Sequence, residues 1–337
     1  MQFDARAWRS SKVGIPRWGA VIGATALVMV ALAACGSGGS DDASGGTTDI
    51  TVLRSTGSTF EALYIAQEQG YFEDAGLNVT IEAGASDTSQ NVPSVLNGEA
   101  QFAMTDIGGL AKAVASGLEV ESVVQIQASS ADIEQSDGLL VAADSDITSP
   151  SELSGKTVGL PVLGGNLQMV AMYSVEKAGG DPTSVNWVAL PTASLLDSLQ
   201  SGQVDAISSF STYYSEALAA GAVSIDKGGQ ELLGDPQSLI FASSSWLADN
   251  ADTAEAFVDA YIKGAQYAND NPDAVRAVDT EYTEMDADTI ANRALQAFDW
   301  AFDVDAVDLA AQNFLDFGII DTAISSSDLL WSEAPTD

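Results

Sequence analysis

Histidine is absent from this chain, and cysteine occurs once among 337 residues, as Cys35. Without an imidazole, neither a Ser-His-Asp or Cys-His nucleophile nor a histidine-ligated zinc site can be assembled. Bases are scarce as well: 12 lysines and arginines stand against 48 aspartates and glutamates. A surface of that sign repels a phosphate backbone, so nucleic acid is excluded as a partner. No glycine-rich loop of the nucleotide-binding type is present. The acids are scattered along helical patterns, as at Asp249, Asp252, Glu255 and Asp259, where they read as a solvated helix face rather than as paired catalytic carboxylates. The expectation is therefore a binding protein, with no catalytic residues, cofactor or metal.

The lone cysteine is the most informative residue present. Arg6, Arg9, Lys12 and Arg17 precede an apolar run from Gly19 to Ala34 that is short for the roughly 20 residues of a membrane span, and Leu32-Ala33-Ala34-Cys35 follows with small residues before the thiol. This pattern predicts a lipoprotein signal peptide over 1–34, removed so that lipidated Cys35 becomes the first residue. Residues 35–48, rich in Gly, Ser and Asp, predict a flexible linker. From Cys35 onward there are 47 acidic and 8 basic residues, a net charge of −39. The rest of the chain is expected outside the cell membrane, tethered by lipid to its outer face.

The remaining 303 residues alternate short apolar runs with helical patterns, the mark of an α/β protein large enough for two lobes. Ile50–Leu53, Leu77–Glu82 and Ala100–Met104 read as strands, separated by helices over 60–69 and 92–96. About a hundred residues later the order repeats: strands at 157–160, 185–190 and 204–208, helices at 167–178 and 195–200. Gly76, Gly98 and Gly117 recur 104 positions on as Gly180, Gly202 and Gly221, each closing a helical stretch. Two lobes on one plan are implied. Farther on, 254–269 and 287–301 read as amphipathic helices, the first with Phe257, Tyr261 and Ile262 on its apolar face, the second with Ile290, Leu295 and Phe298.

Four stretches then carry a resemblance: GYFEDAGLNVTIE from Gly70, VPSVLNGEAQFAMTD ending at Asp106, SELSGKTVGLP from Ser151, and SLLDSLQSGQVDAISS ending at Ser209. Together they resemble the SsuA/THI5-like family, solute-binding proteins of ABC importers for nitrate, taurine, alkanesulfonates and thiamine-pyrimidine precursors. The resemblance implies a type II periplasmic-binding fold, two α/β lobes joined by a two-strand hinge: 49–142 as the first part of lobe one, 143–237 as lobe two, and 238–337 as the return to lobe one. The hinge strands are expected near Leu140–Asp144 and Ser238–Ser243. It also implies capture of a small molecule between the lobes by a monomer, and delivery to an ABC permease driven by an ATPase. One enzyme branch, the pyrimidine synthases of eukaryotes, shares the fold but uses a histidine and a cysteine-rich motif that this chain lacks. A surface lipoprotein with a sensing or adhesion role is a further alternative.

Ligands of such sheets lie beyond the carboxyl ends of the strands, where loops enter helix N-termini with unpaired N–H groups. The candidate ligand-binding residues there are Arg54, Ser55, Thr56 and Thr59 after the first strand, and Thr105 and Asp106, with Gly108 nearby, after the third. In the second lobe they are Gly164, Gly165 and Asn166, then Ser208, Ser209 and Thr212. Converging helix N-termini could hold an anionic head group with few cations; each Ser or Thr could equally be an ordinary helix cap. Ser129 and Ser130 are weaker additions. Arg54 could pair a sulfonate, carboxylate or nitrate, or turn outward to offset the acidic surface. Tyr64, Phe210, Tyr213 and Tyr214 could flank a ring-shaped ligand or pack in the core.

Cys35→Ser is expected to abolish incorporation of labelled palmitate and to leave a precursor or a protein released from the membrane fraction. A mutant that still takes up the label would exclude lipidation at this position.

Overall fold

The computed structural model describes residues 47–55, 59–85, 88–130, 135–283 and 285–337. Cys35, with the signal and nearly all of the linker sequence, and Thr56 lie outside the described residues.

Two five-stranded sheets form the frame. The first part of the chain runs β1 (Thr48–Arg54), α1 (Glu61–Glu68), α2 (Tyr71–Asp74), β2 (Leu77–Ala83), α3 (Val92–Leu96), β3 (Phe102–Thr105), α4 (Ile107–Ala115) and β4 (Val120–Ala128). The second part runs β5 (Asp137–Val141), β6 (Thr157–Leu160), α5 (Asn166–Lys177), β7 (Asn186–Ala189), α6 (Leu195–Gln200), β8 (Ala206–Phe210), α7 (Ser211–Ala219) and β9 (Val223–Ser224). The chain then returns through β10 (Pro236–Ser243) and the helices α8 (Ser244–Asp249), α9 (Ala251–Asp270), α10 (Pro272–Tyr282), α11 (Ala287–Asn292), α12 (Val304–Asp316) and α13 (Ser326–Leu329).

The sheet orders are β2-β1-β3-β10-β4 and β7-β6-β8-β5-β9. They match place for place. In each, three strands are parallel, and the fourth is antiparallel to both neighbours. Parallel strands need crossover helices, which cover both faces and explain why β3 is buried along its whole length. The fourth strand is the exception to local assembly: β10 reaches the first sheet only after the chain has built the second, and β5 enters the second sheet directly from the first.

This exchange moves the hinge from where the apolar runs suggested. Leu139 and Leu140 pair with Ser208 and Ile207 deep inside the second sheet, and Leu239 to Phe241 pair with Thr105 to Ala103 inside the first. The crossings are instead 129–136 and 225–235, so the second lobe begins at β5 rather than at residue 143. A continuous apolar run is what a central strand needs on both faces, and a hinge does not. The glycine offset holds conformationally for two of its three pairs: Gly98 and Gly202 have φ of 75° and 70°, and Gly117 and Gly221 have 81° and 95°. In the third, the left-handed residue matching Gly76 is Gly179, one place before Gly180.

The helix expected over 287–301 ends at Asn292. From there the backbone pairs with the exposed edge of β4: Asp299 N–H donates to Ile126 O at 3.0 Å, and the Gln125 amide donates to Ala301 O at 2.8 Å. Asn269 on α9 holds the same stretch, giving Nδ2 to Phe298 O at 2.9 Å and accepting Phe298 N–H at 2.8 Å. An uncovered strand edge is a template for wrong pairing, and this segment blocks it. The apolar face of α9 behaves as the pattern predicts, with Phe257 stacked on Phe102 at 4.1 Å between ring centres.

One buried ion cluster fixes where α11 stops. Arg293 NH2 lies 2.6 Å from both Glu61 on α1 and Asp279 on α10, and its Nε donates to Asp279 at 2.8 Å. The three side chains are 8, 3 and 0 % exposed for Arg293, Glu61 and Asp279. Burial pushes the Glu61 carboxyl well above its ordinary range, Arg293 pulls it down, and Asp279 pushes it up again. Arg293→Ala would leave two carboxylates facing each other without a counter-ion. A loss of about 3–5 kcal/mol in urea unfolding is expected, the range for stripping one partner from a buried pair. A loss under about 1 kcal/mol would show that the cluster is hydrated.

Candidate functional site

The two lobes meet where α4 and α5 begin. Asp106 is the N-cap of α4, and its Oδ1 accepts from Gly108 N at 2.9 Å and Gly109 N at 3.1 Å. The same oxygen accepts from Asn166 N, the first residue of α5, at 3.0 Å. One carboxylate thus caps a helix in each lobe. Approach is close enough that only glycine fits at 108, since a Cβ there would stand 2.7 Å from Asn166 N and 2.8 Å from Gly165 C. Lys112 on α4 adds a hydrogen bond from Nζ to Leu163 O at 3.1 Å.

The N-terminal amides of both helices thus bond one carboxyl group, and this contact joins the lobes. The Asn166 side chain is likewise engaged, donating from Nδ2 to Asp235 Oδ2 at 3.0 Å in a buried contact.

Beside the crossings lie two small recesses, of about 10 and 20 Å³, each with room for little more than a water molecule. One is lined by Gln127, Ser129, Gln135, Asp137, Gln230 and Gln237 among others. Both crossings contribute to it, and it is tied across by hydrogen bonds from Gln237 Nε2 to Ser129 Oγ at 2.7 Å and from Gly229 N to Asp137 Oδ2 at 2.8 Å. The other shares Gln127 and adds Thr59, Glu61, Arg293, Gln296 and Phe298. Gln296 Nε2 donates to Ser136 Oγ at 2.8 Å, linking the C-terminal segment to the first crossing.

The crossings carry buried acids. Burial pushes the Asp137 carboxyl up to about 6, with Gly229 N–H opposing, and pushes Asp226 up to about 7, with Leu139 N–H opposing. Asp235 also rises to about 7, again mainly through burial.

The other candidates divide. Arg54 turns back onto its own lobe: its guanidinium lies 4.2 Å from the centre of the Phe60 ring and donates to Tyr64 Oη, Ser55 O and Tyr282 O at 3.1, 2.9 and 3.3 Å. Ser55 N–H points to Met104 Sδ at 3.4 Å. Thr59 does not cap α1, whose cap position is Phe60. It has a left-handed φ of 96°, held by its N–H on Glu61 Oε2 at 2.8 Å. Thr105 is buried with its Oγ1 3.3 Å from that of Thr88. Gly164 gives its N–H to Gln168 at 2.6 Å, and Gly165 is the cap residue of α5. Ser208 and Ser209 lie on β8 with buried hydroxyls that have no hydrogen-bond partner among the described residues, and Thr212 follows in the first turn of α7. Of the four aromatics, Tyr64 and Tyr214 are buried, and Phe210 and Tyr213 are exposed, 6.4 Å apart between ring centres.

Asp106, Gly165 and Asn166 are therefore brought together, while Thr59 lines a recess with Arg293. Gln127, Gln237, Asp137 and Asp235 were not singled out. The available signal was an alternation: Gln125 and Gln127 interrupt the apolar second half of the strand, from Val123 to Ala128, and a buried amide needs a partner.

Gly108→Ala and Gly165→Ala separate the close approach from the cap. The first is expected to destabilise by about 1–3 kcal/mol through overpacking between the lobes. At Gly165 the nearest atom to a new Cβ is 3.6 Å away, so that variant should unfold within a degree or two of the parent in thermal melts. Equal effects would show that the lobe contact does not constrain the fold.

Solved structures with this fold include the periplasmic aliphatic sulphonate binding protein SsuA of Escherichia coli, at a TM-score of 0.72 and 17% identity over 87% of this chain and 94% of that one. By sequence, the chain is 26% identical to YtlA of Bacillus subtilis, a protein named as a binding protein, over 78% of each. It is 25% identical to the formylaminopyrimidine-binding protein of Halalkalibacterium halodurans, over 73% of this chain and 74% of that protein. The described lobes have the type II periplasmic-binding architecture, and the family model described as NMT1/THI5 like matches residues 58–275, well over half of the sequence, so the chain belongs to the NMT1/THI5-like family.

Proposed function

We propose that this protein is the solute-binding component of an ABC importer, anchored through Cys35 outside the cell membrane, which takes a small molecule at the crossings between its lobes and hands it to a permease as a monomer. No described helix is long and apolar enough to cross a membrane. On this reading the site binds without transforming, in keeping with a chain that has neither histidine nor a second cysteine for nucleophilic catalysis. Two lobes linked along the chain by a pair of crossings permit a hinge motion, with closure stabilised when a ligand touches both sides.

The observation that carries the choice of ligand is the lining of the recesses. Glutamine amides, Ser129 and the carboxyl of Asp137 surround one. The one cation lining either recess, among the described residues, is Arg293, which is already matched by two carboxylates. Amides offer donors and acceptors to an uncharged or weakly basic polar ring and offer nothing to neutralise a sulfonate. The ligand class whose chemistry matches this lining, admitted once the lobes open and widen the recess, is an aminopyrimidine or similar hydrogen-bonding heterocycle, in keeping with the formylaminopyrimidine named for the Halalkalibacterium halodurans relative.

A second reading rests on Arg54, at the end of β1, which has no carboxylate partner among the described residues. The two are separated by calorimetry and thermal shift against aminopyrimidines, taurine, alkanesulfonates and nitrate. A bound ligand at a hundredfold excess over its Kd stabilises the fold by about 2.7 kcal/mol. Stabilisation by an aminopyrimidine, weakened at least tenfold in Gln127→Ala, is the expected result. Stabilisation by a sulfonate that is lost in Arg54→Gln would replace this ligand class, and conversion of a bound compound to product would overturn the binding role.

A further inference from the structure

Asn166 and Asp235 face each other in a buried site, at 6 and 2 % exposure, yet share only one evident hydrogen bond, from Nδ2 to Oδ2. The remaining oxygens, Asn166 Oδ1 and Asp235 Oδ1, are both fully buried and both lack a partner among the described residues. An amide oxygen and an ionised carboxylate oxygen are acceptors only, so as an amide and a carboxylate the pair wastes two acceptors in a site that water does not reach. One proton removes the conflict. A carboxylic acid presents an acceptor and an O–H on one edge, and a primary amide presents the complementary N–H and oxygen.

We propose that Asp235 is held as the neutral acid and closes a two-hydrogen-bond ring with the Asn166 side chain, making this acid–amide pair the positioning element that joins the return crossing to the start of α5. The proton sits on Asp235 Oδ1 and is donated to Asn166 Oδ1, while Asn166 Nδ2 donates to Asp235 Oδ2.

The surroundings favour the uncharged form. Asp106 faces the pair from α4 and Asp137 from β5, with Asp226 beyond it in the return crossing. Asp303, before α12, packs against Gly234, and Glu231 is already paired with Lys177 of α5 at 2.7 Å. Lys112 of α4 spends its ammonium on Leu163 O, so no described cation bonds to Asp235. Burial first, then Asp137 and Asp106, push its carboxyl up to about 7, against the pull of Asn166. The backbone holds the acid in place: Ser129 N–H at the end of β4 donates to Asp235 O at 3.0 Å, and Asp235 N–H donates to Leu232 O at 3.2 Å. Asn166 is thus fixed twice, by its backbone N–H to Asp106 and by its side chain to Asp235. Met169 and Val170, one turn on, pack in the core of the first lobe. The start of α5 is therefore a bearing rather than a free loop, and the Gly164–Gly165 turn takes its position from it.

The sign follows from the direction of the shift. An acid whose folded value is raised from 3.8 to about 7 stabilises the fold fully below about 4 and loses that contribution as pH rises through 7. Between pH 6 and pH 8 the unfolding equilibrium constant should rise about tenfold from this group alone. Asp235→Asn in the full chain keeps a ring-forming amide at every pH. Its unfolding constant should rise about tenfold less than that of the parent over the same interval, with Asp137, Asp226 and Glu61 still titrating in both. Infrared difference spectra should show a protonated-carboxyl C=O band at pH 6 that Asp235→Asn removes and that Asn166→Ala, which opens the ring, shifts to higher frequency. An unchanged pH dependence in Asp235→Asn, or a carboxyl band that neither variant alters, would establish an ionised Asp235 and overturn the proposal. Should Asp235→Asn not fold, the band in the parent and its response to Asn166→Ala decide alone.

Discussion

Each sheet in this protein is completed by a strand that the chain can supply only by passing between the lobes. β5 enters the second sheet from the end of the first, and β10 enters the first after the second is built. Because both are buried antiparallel strands bonded on two sides, neither lobe can complete its sheet without the crossings. The crossings are therefore anchored at both ends, and the polar groups they carry are held at fixed positions between the two cores. Gln127, Ser129, Asp137 and Gln237 line their recess for this reason.

A second constraint is charge. With eight bases for 47 acids after Cys35, the fold cannot neutralise its buried carboxylates by pairing each with a cation. It meets the difficulty in three ways. Arg293 serves Glu61 and Asp279 together. Asp106 is satisfied by backbone N–H groups of two helices, which bring partial positive charge without a basic side chain. Asp137, Asp226 and Asp235 have their proton affinity raised by burial. These solutions leave the crossings rich in hydrogen-bonding groups and poor in positive charge.

The family match and the two-lobe architecture place the molecule among the NMT1/THI5-like proteins with a periplasmic-binding fold. Within it, one carboxyl group, that of Asp106, bonds the N-terminal amides of a helix in each lobe and so joins them.

Local pattern was enough to read most elements in this sequence. The strand at 50–53, the helix at 195–200 and the glycines at 98 and 202 follow from apolar periodicity and from the left-handed turn that glycine accepts, and these depend on neighbours a few residues away. The repeat of that grammar made two lobes on one plan legible. The crossings were not, because an apolar run such as Leu139–Val141 looks the same whether it spans a hinge or fills a sheet. The stretch after Asn292 shows the same limit: its helical pattern was overridden by the open edge of β4 and by Arg293 meeting acids 232 and 14 positions away. Residue type alone marked Asp106 and Asn166 as polar groups near a cleft. Tertiary structure decided that the two meet across the lobes, because hydrogen bonds between distant segments are set by how two cores pack and not by the spacing of residues along the chain.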